Sequence, residues 1–188
     1  MKRIIQIRGA NATGKTTIVR QFIDRHDLKM AWKDINGVKT PFYVSDDKKI
    51  VILGRYDRKT GGCDLFKGKT QIVSSIMYAV KELKAETIIF EGFIYGKSFT
   101  FAHDLNSLAK IIGYKFIGIV LTRSFENIVR LLTIRNGGSY FSMDNLQRTY
   151  IDVENSYKKL KAAGITVKKK NTDEVREEDM YTILESEL

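Results

Sequence analysis

Hydrophobic positions along the chain switch between short continuous runs and spacings of three and four, and each rhythm predicts a different element. Lys2 to Arg8 is a β-rich run. From Thr16 to Asp24, Ile18, Val19, Phe22 and Ile23 recur at helical spacing, with a glycine-bearing loop between the two segments. Ala31 to Arg55 alternates apolar and polar residues around two turn signals, Asn36-Gly37 and Asp46-Asp47, predicting a small antiparallel meander that closes with a strand from Lys49 to Leu53. Thr70 to Ala85 puts Ile72, Val73, Ile76, Met77, Val80 and Leu83 on one face of an amphipathic helix. A strand over Thr87 to Phe90, a helix over Phe101 to Ile112, a strand over Lys115 to Leu121 and a helix over Phe125 to Ile134 follow. Asn136-Gly137-Gly138-Ser139 breaks that last helix, and a longer one spans Met143 to Ala162 with Gly164 just past its end. A strand from Ile165 to Lys169 and a terminal helix from about Glu177 complete the pattern. Strands alternating with helices imply an α/β fold, a parallel sheet covered by helices on both faces. The 188 residues hold no repeat or linker and read as one domain, 1–188.

Composition narrows the setting. No run approaches the ~18 apolar residues of a membrane-spanning helix, and the apolar stretch Ile4 to Ile7 leads into a glycine loop where a signal peptide would have a cleavage site. The expectation is a cytoplasmic protein, in the host cytoplasm if viral, without a membrane partner. A single cysteine, Cys63, excludes an internal disulfide framework and is expected to pack in the core. His26 and His103 lack metal-ligand spacing. The 32 Lys and Arg against 22 Asp and Glu give a net charge of +10, which favours phosphate-rich partners.

The densest chemistry lies at Gly9-Ala10-Asn11-Ala12-Thr13-Gly14-Lys15-Thr16, the spacing GxxxxGK[ST] of the Walker A phosphate loop (P-loop). Glycines let the backbone curl so that consecutive N–H groups face a phosphate, while the following helix offers its positive end. Gly9, Asn11, Ala12, Thr13, Gly14, Lys15, Thr16 and Thr17 are thus candidate ATP-binding residues. Lys15 is expected to serve the β and γ oxygens, and Thr16 to ligate Mg²⁺. Glu91 follows the apolar run Thr87 to Phe90 and precedes Gly92, the strand-end position from which a carboxylate holds Mg²⁺ through water or orients a nucleophile.

Residues 54 to 64 form a glycine-rich stretch with two aspartates, Asp57 and Asp64, and several basic groups. Phosphoryl transfer to an alcohol needs a carboxylate to accept the hydroxyl proton, and either aspartate can supply it. Arg55, Tyr56, Gly61, Gly62 and Asp64 are the candidate acceptor-binding residues, and 31–58 the candidate substrate-side insertion. Trp32, Phe42 and Tyr43 are apt for base stacking but are expected to pack in the core or hairpin. Arg123, Arg130 and Arg135 follow the strand ending at Leu121, with the Asn-Gly-Gly break beyond, and suggest a short lid over 135–142. Arg130 or Arg135 there would close on a γ-phosphate, and Arg130 could also stack on adenine.

With these residues placed, the chain resembles a P-loop kinase of the nucleoside and nucleotide kinase type, which implies a five-stranded parallel sheet in the order 2-3-1-4-5. More narrowly it resembles the phage 5-hydroxymethyluracil DNA kinases. The resemblance rests on Gly9 to Thr16, on Leu53-Gly54-Arg55-Tyr56-Asp57 closing on Gly61-Gly62-Cys63-Asp64, on Phe90-Glu91-Gly92 and on Leu160-Lys161-Ala162-Ala163-Gly164. It implies ATP as phosphoryl donor, Mg²⁺, and a hydroxymethyl group in DNA as acceptor. The alternatives are a deoxynucleoside monophosphate kinase and a DNA-binding ATPase without phosphotransfer. The strand ending at Glu91 lacks the aspartate-arginine-tyrosine or aspartate-arginine-serine motif of free-nucleotide kinases.

Overall fold

The structure, a computed structural model, describes residues 1–58, 61–138 and 141–188. Strands β1 (Arg3–Gly9), β2 (Lys29–Ile35), β3 (Val38–Val44), β4 (Ile50–Leu53), β5 (Thr87–Glu91), β6 (Lys115–Thr122) and β7 (Val167–Asn171) form one sheet. Helices α1 (Lys15–Arg25), α2 (Lys69–Lys81), α3 (Phe93–Gly96), α4 (Phe99–Ile111), α5 (Phe125–Arg135), α6 (Met143–Ala162) and α7 (Thr182–Glu185) connect and cover it. The sheet has seven strands in the order β2-β3-β4-β5-β1-β6-β7, which corrects the expected five. β4, β5, β1, β6 and β7 are mutually parallel and, numbered among themselves, run 2-3-1-4-5. The meander is the source of the difference. Phe42, Tyr43 and Val44 of β3 pair antiparallel with β4, so the hairpin prolongs the sheet and β4 belongs to its parallel part.

Local chemistry explains the boundaries. Asn36 (φ 53°) and Gly37 (φ 77°) make two successive left-handed residues, the geometry that a two-residue hairpin requires. Ser98, Ser124 and Ser142 each accept a hydrogen bond from the N–H three residues on, capping α4, α5 and α6. α2 ends before the expected Ala85 because Lys84 turns left-handed (φ 56°) and the Ala85 N–H returns to the Ala79 carbonyl. β7 starts later than Ile165, whose N–H is taken by the Leu160 carbonyl as α6 closes. The expected terminal helix is two short turns, Glu177–Asp179 and α7. Gln21 holds them apart: its side chain donates to the Glu177 carbonyl (2.6 Å) and accepts from the Tyr181 N–H (3.1 Å), groups a continuous helix would bond internally.

Side chains alternate across β1. Ile5 and Ile7 pack with Ile18, Val19 and Phe22 of α1, while Ile4 faces the layer of α2 and α4. Also on β1, Arg8 is 1% exposed and bonds the Gln6 side chain (2.7 Å), the Ser98 carbonyl (3.3 Å) and Ser156 Oγ (2.6 Å), tying the strand to α4 and α6. Burial holds its guanidinium down at about 10. A smaller cluster of Ala10, Ile128, Leu132 and Leu146 fastens α5 and α6 to the loop after β1. No helix among the described residues is long and apolar enough to cross a membrane.

Candidate functional site

The carboxyl ends of the parallel strands surround a cavity of about 630 Å³. Its floor is the loop between β1 and α1. Gly9 sits at φ 149°, where a Cβ would come within 2.6 Å of Thr13 Oγ1 and 2.8 Å of the Leu121 carbonyl oxygen. Only glycine lets the chain turn there. Ala12 (φ 58°) and Gly14 (φ 89°) bend the loop further, and α1 starts at Lys15 with its first N–H groups at the cavity. Lys15 folds back over the loop and donates to the Gly9 (3.0 Å) and Ala10 (2.8 Å) carbonyls. Burial lowers its pKa, and Glu91 and Asp64 offset that only in part. Thr13, buried, bonds the Ala10 carbonyl (2.9 Å) and shapes the loop from behind.

β5 delivers Glu91 next to this loop, in register with Ile7. The carboxyl is 1% exposed and accepts from Thr16 Oγ1 at 3.0 Å. Burial pushes it up to about 7, helped by Asp64 and opposed by Lys15 and the Thr16 bond. A Cβ on Gly62 (φ 83°) would lie 2.5 Å from Glu91 Oε1, so the chain at Gly62 can roof this carboxyl only because glycine stands there. The segment closes through a two-way bridge between Arg55 and Gly62 (3.3 and 2.9 Å). Arg20 of α1 braces it by donating from Nε to the Tyr56 carbonyl (2.9 Å) and from Nη2 to the Arg58 carbonyl.

The cavity brings together Asn11, Ala12, Gly14, Lys15, Thr16, Thr17, Gly61, Asp64, Glu91, Arg130 and Arg135. Asp64 is exposed, and its Oδ1 lies 3.3 Å from where a Cβ on Gly92 would be. Asp57 is elsewhere. It stands on the outer surface in a double hydrogen bond with Arg55 (2.6 and 2.8 Å), which holds its carboxyl below the usual range. Tyr56 is buried against Tyr43, and the Tyr43 hydroxyl accepts its N–H (3.3 Å). Cys63 is fully buried, bonded to the Leu53 carbonyl (3.6 Å), and burial pushes its thiol well up. Of the expected lid, residues 139 and 140 lie outside the described residues. Residues 136–138 turn tightly after α5, with Gly137 (φ 60°) and Gly138 (φ 78°) left-handed.

One wall went unforeseen. Thr172, Asp173, Val175, Glu177 and Met180 follow β7 and line the same cavity, and Met180 packs directly against Gly14 of the loop. Arg123 links the two sides, donating to the Ala12 (3.1 Å) and Thr172 (3.3 Å) carbonyls, with Nε 3.2 Å from Asp173 in an ion pair without hydrogen-bond alignment. Burial works to raise Asp173. Bonds from Ser124 and Asn127, with Arg123 beside it, outweigh burial and hold the carboxyl low. The available signal was positional, since every parallel strand's carboxyl end borders the site in such a sheet.

Fold and site together define a mixed α/β protein built around a glycine-rich loop on its central strand, with a lysine, a threonine and two carboxyl groups meeting in one cavity. Within that class, the chain is similar to the 5-hmdU DNA kinase of Delftia phage PhiW-14, at 26% identity over 175 residues that cover 86% of this chain and 65% of the relative. It is also similar to the 5-hmdU DNA kinase of Pseudomonas phage PaMx11, at 24% over 106 residues covering half of each. The chain thus spans 65% and 50% of the lengths of these curated relatives. A chain solved with the PezAT toxin–antitoxin system of Streptococcus pneumoniae aligns over 92% of this chain and 68% of its own, at 16% identity and a TM-score of 0.48, a likeness too distant to bear on function. No protein-family model matches the chain.

Proposed function

We propose that the protein transfers the γ-phosphoryl group of ATP to the hydroxymethyl group of 5-hydroxymethyluracil in DNA. The observation that carries the reading is the meeting of Asp64 with Lys15, Thr16 and Glu91 in one cavity. The names of the two phage relatives and the net charge of +10 support the acceptor.

The triphosphate lies along the loop, against the first N–H groups of α1. Lys15 leaves the Gly9 and Ala10 carbonyls for the β and γ oxygens. Thr16 and Glu91, 3.0 Å apart, fit a Mg²⁺ held by one or two protein oxygens with phosphates and water. Held there, Mg²⁺ would supply charge neutralisation at the β- and γ-phosphates. Asp64 accepts the proton of the hydroxymethyl group as its oxygen bonds to the γ-phosphorus. The bond to the β-phosphate oxygen breaks and ADP leaves. Arg130 and Arg135, which also line the cavity, balance charge on the equatorial oxygens. Residues 54–58 and 61–64 present the acceptor, and a base in a duplex must leave the stack to reach it.

The test is incubation with γ-labelled ATP and, in parallel, hydroxymethyluracil-containing DNA, unmodified DNA and a panel of deoxynucleoside monophosphates. Label on the modified DNA alone is expected. Label confined to the monophosphates, or free phosphate without a labelled acceptor, would contradict the reading.

A further inference from the structure

The sheet's edge carries an aromatic residue that the core does not absorb. Phe42 and Tyr43 are buried, but Trp32 on β2 is 40% exposed. The Lys39 ammonium lies 5.5 Å and the Arg55 guanidinium 5.4 Å from its ring centroid. Asp57 partly offsets the charge of Arg55.

Register puts this group at the active end of the sheet. Trp32 pairs with Pro41, whose carbonyl accepts the Gly54 N–H (3.2 Å), and Leu53 and Phe90 pair one rung below Gly54 and Glu91. Trp32, Pro41, Gly54 and Glu91 therefore share a rung, which sets Trp32 three interstrand spacings, about 14 Å, from Glu91. Arg55 spans the gap, touching Trp32 with its side chain and bridging Gly62 with its backbone.

An exposed indole braced by cations beside an acceptor segment is the arrangement that holds a single nucleic-acid strand, by stacking on its bases and neutralising its phosphates. We infer that Trp32, with Lys39 and Arg55, docks the unpaired DNA strand flanking the acceptor base. This rests on the proposed reaction for the identity of the strand, and its test does not depend on phosphoryl transfer.

Trp32 is the chain's single tryptophan, so its emission reports on this surface alone. A single-stranded oligodeoxynucleotide containing 5-hydroxymethyluracil, titrated without ATP, is expected to quench that emission saturably. Measured by anisotropy of a labelled strand, Trp32→Ala is expected to weaken binding roughly 5- to 150-fold, the loss of one stacked base. Trp32→Phe is expected to keep most of the affinity, Lys39→Ala to lower the salt dependence by about one phosphate contact, and all three to leave ATP affinity unchanged. Absence of DNA binding, binding without a change in emission, or undiminished binding by Trp32→Ala would overturn the surface, as would a Trp32→Ala effect on oligomeric state alone. Quenching without phosphoryl transfer would uphold the surface and remove the proposed reaction.

Discussion

Asp64 and Asp57 sit seven residues apart, yet their surroundings differ. A proton acceptor must reach the acceptor hydroxyl, and only Asp64 of the pair borders the cavity. Asp57 spends both carboxylate oxygens on Arg55. Asp64→Asn is expected to lower kcat by roughly 10²- to 10⁴-fold with ATP affinity retained, whereas Asp57→Asn should leave kcat nearly unchanged; steady-state kinetics with separate nucleotide binding would decide. Glu91 makes a second prediction. Its carboxyl, about 7 in the folded protein against an ordinary 4.5, binds more protons folded than unfolded, so its contribution to stability falls as pH rises from about 4.5 through about 7. Wild type relative to Glu91→Gln should therefore lose roughly 2–3 kcal/mol between pH 5 and pH 8 in the absence of nucleotide and metal, measured by urea denaturation. A flat difference would show that burial does not govern this carboxyl.

Residues 54–58 and 61–64 show what the proposed placing of a carboxylate over a phosphate site requires of the backbone. Gly62 at φ 83° lies over Glu91, and Gly54 at φ 107° lies where a Cβ would meet the Gly62 backbone at 2.6 Å. Gly62→Ala is expected to cost about 1–3 kcal/mol from backbone strain alone and to displace Glu91 from Thr16, read as a lower melting temperature together with weakened Mg²⁺-dependent ATP binding. The sequence made this segment conspicuous through its glycines and charges. It did not separate Asp57 from Asp64, because the Arg55–Gly62 bridge that turns one outward and the other inward is a contact across the loop. The strands and helices around the site were legible wherever apolar spacing was strong, as in α1 and α6. The break between the terminal turns is not legible in the sequence because the Glu177 carbonyl and the Tyr181 N–H bond to Gln21, more than 150 residues away in the chain. The wall after β7 escaped notice for a related reason. Thr172, Asp173 and Val175 carry no motif and gain meaning only from the crossover that brings β7 beside β6.

At the scale of the whole molecule, the β2–β3 hairpin changes the count of strands and widens the sheet by two. Its antiparallel pairing with β4 could not be read from alternation alone, which fits a separate meander equally well. The widened sheet, a net charge of +10 and a cavity whose floor is a glycine loop suit a substrate that is itself a polyanion. The apparent affinity for DNA should then fall at least roughly tenfold between 50 and 200 mM salt, in steady-state assays where the KM for ATP changes little. Most direct is the chemistry of the product. DNA containing 5-hydroxymethyluracil, incubated with the protein, ATP and Mg²⁺, digested with nucleases lacking phosphomonoesterase activity and analysed by mass spectrometry, should yield a nucleotide carrying a phosphomonoester on its 5-hydroxymethyl group. Recovery of the hydroxymethyl group unmodified, with ATP consumed or label found on free nucleotides, would contradict it.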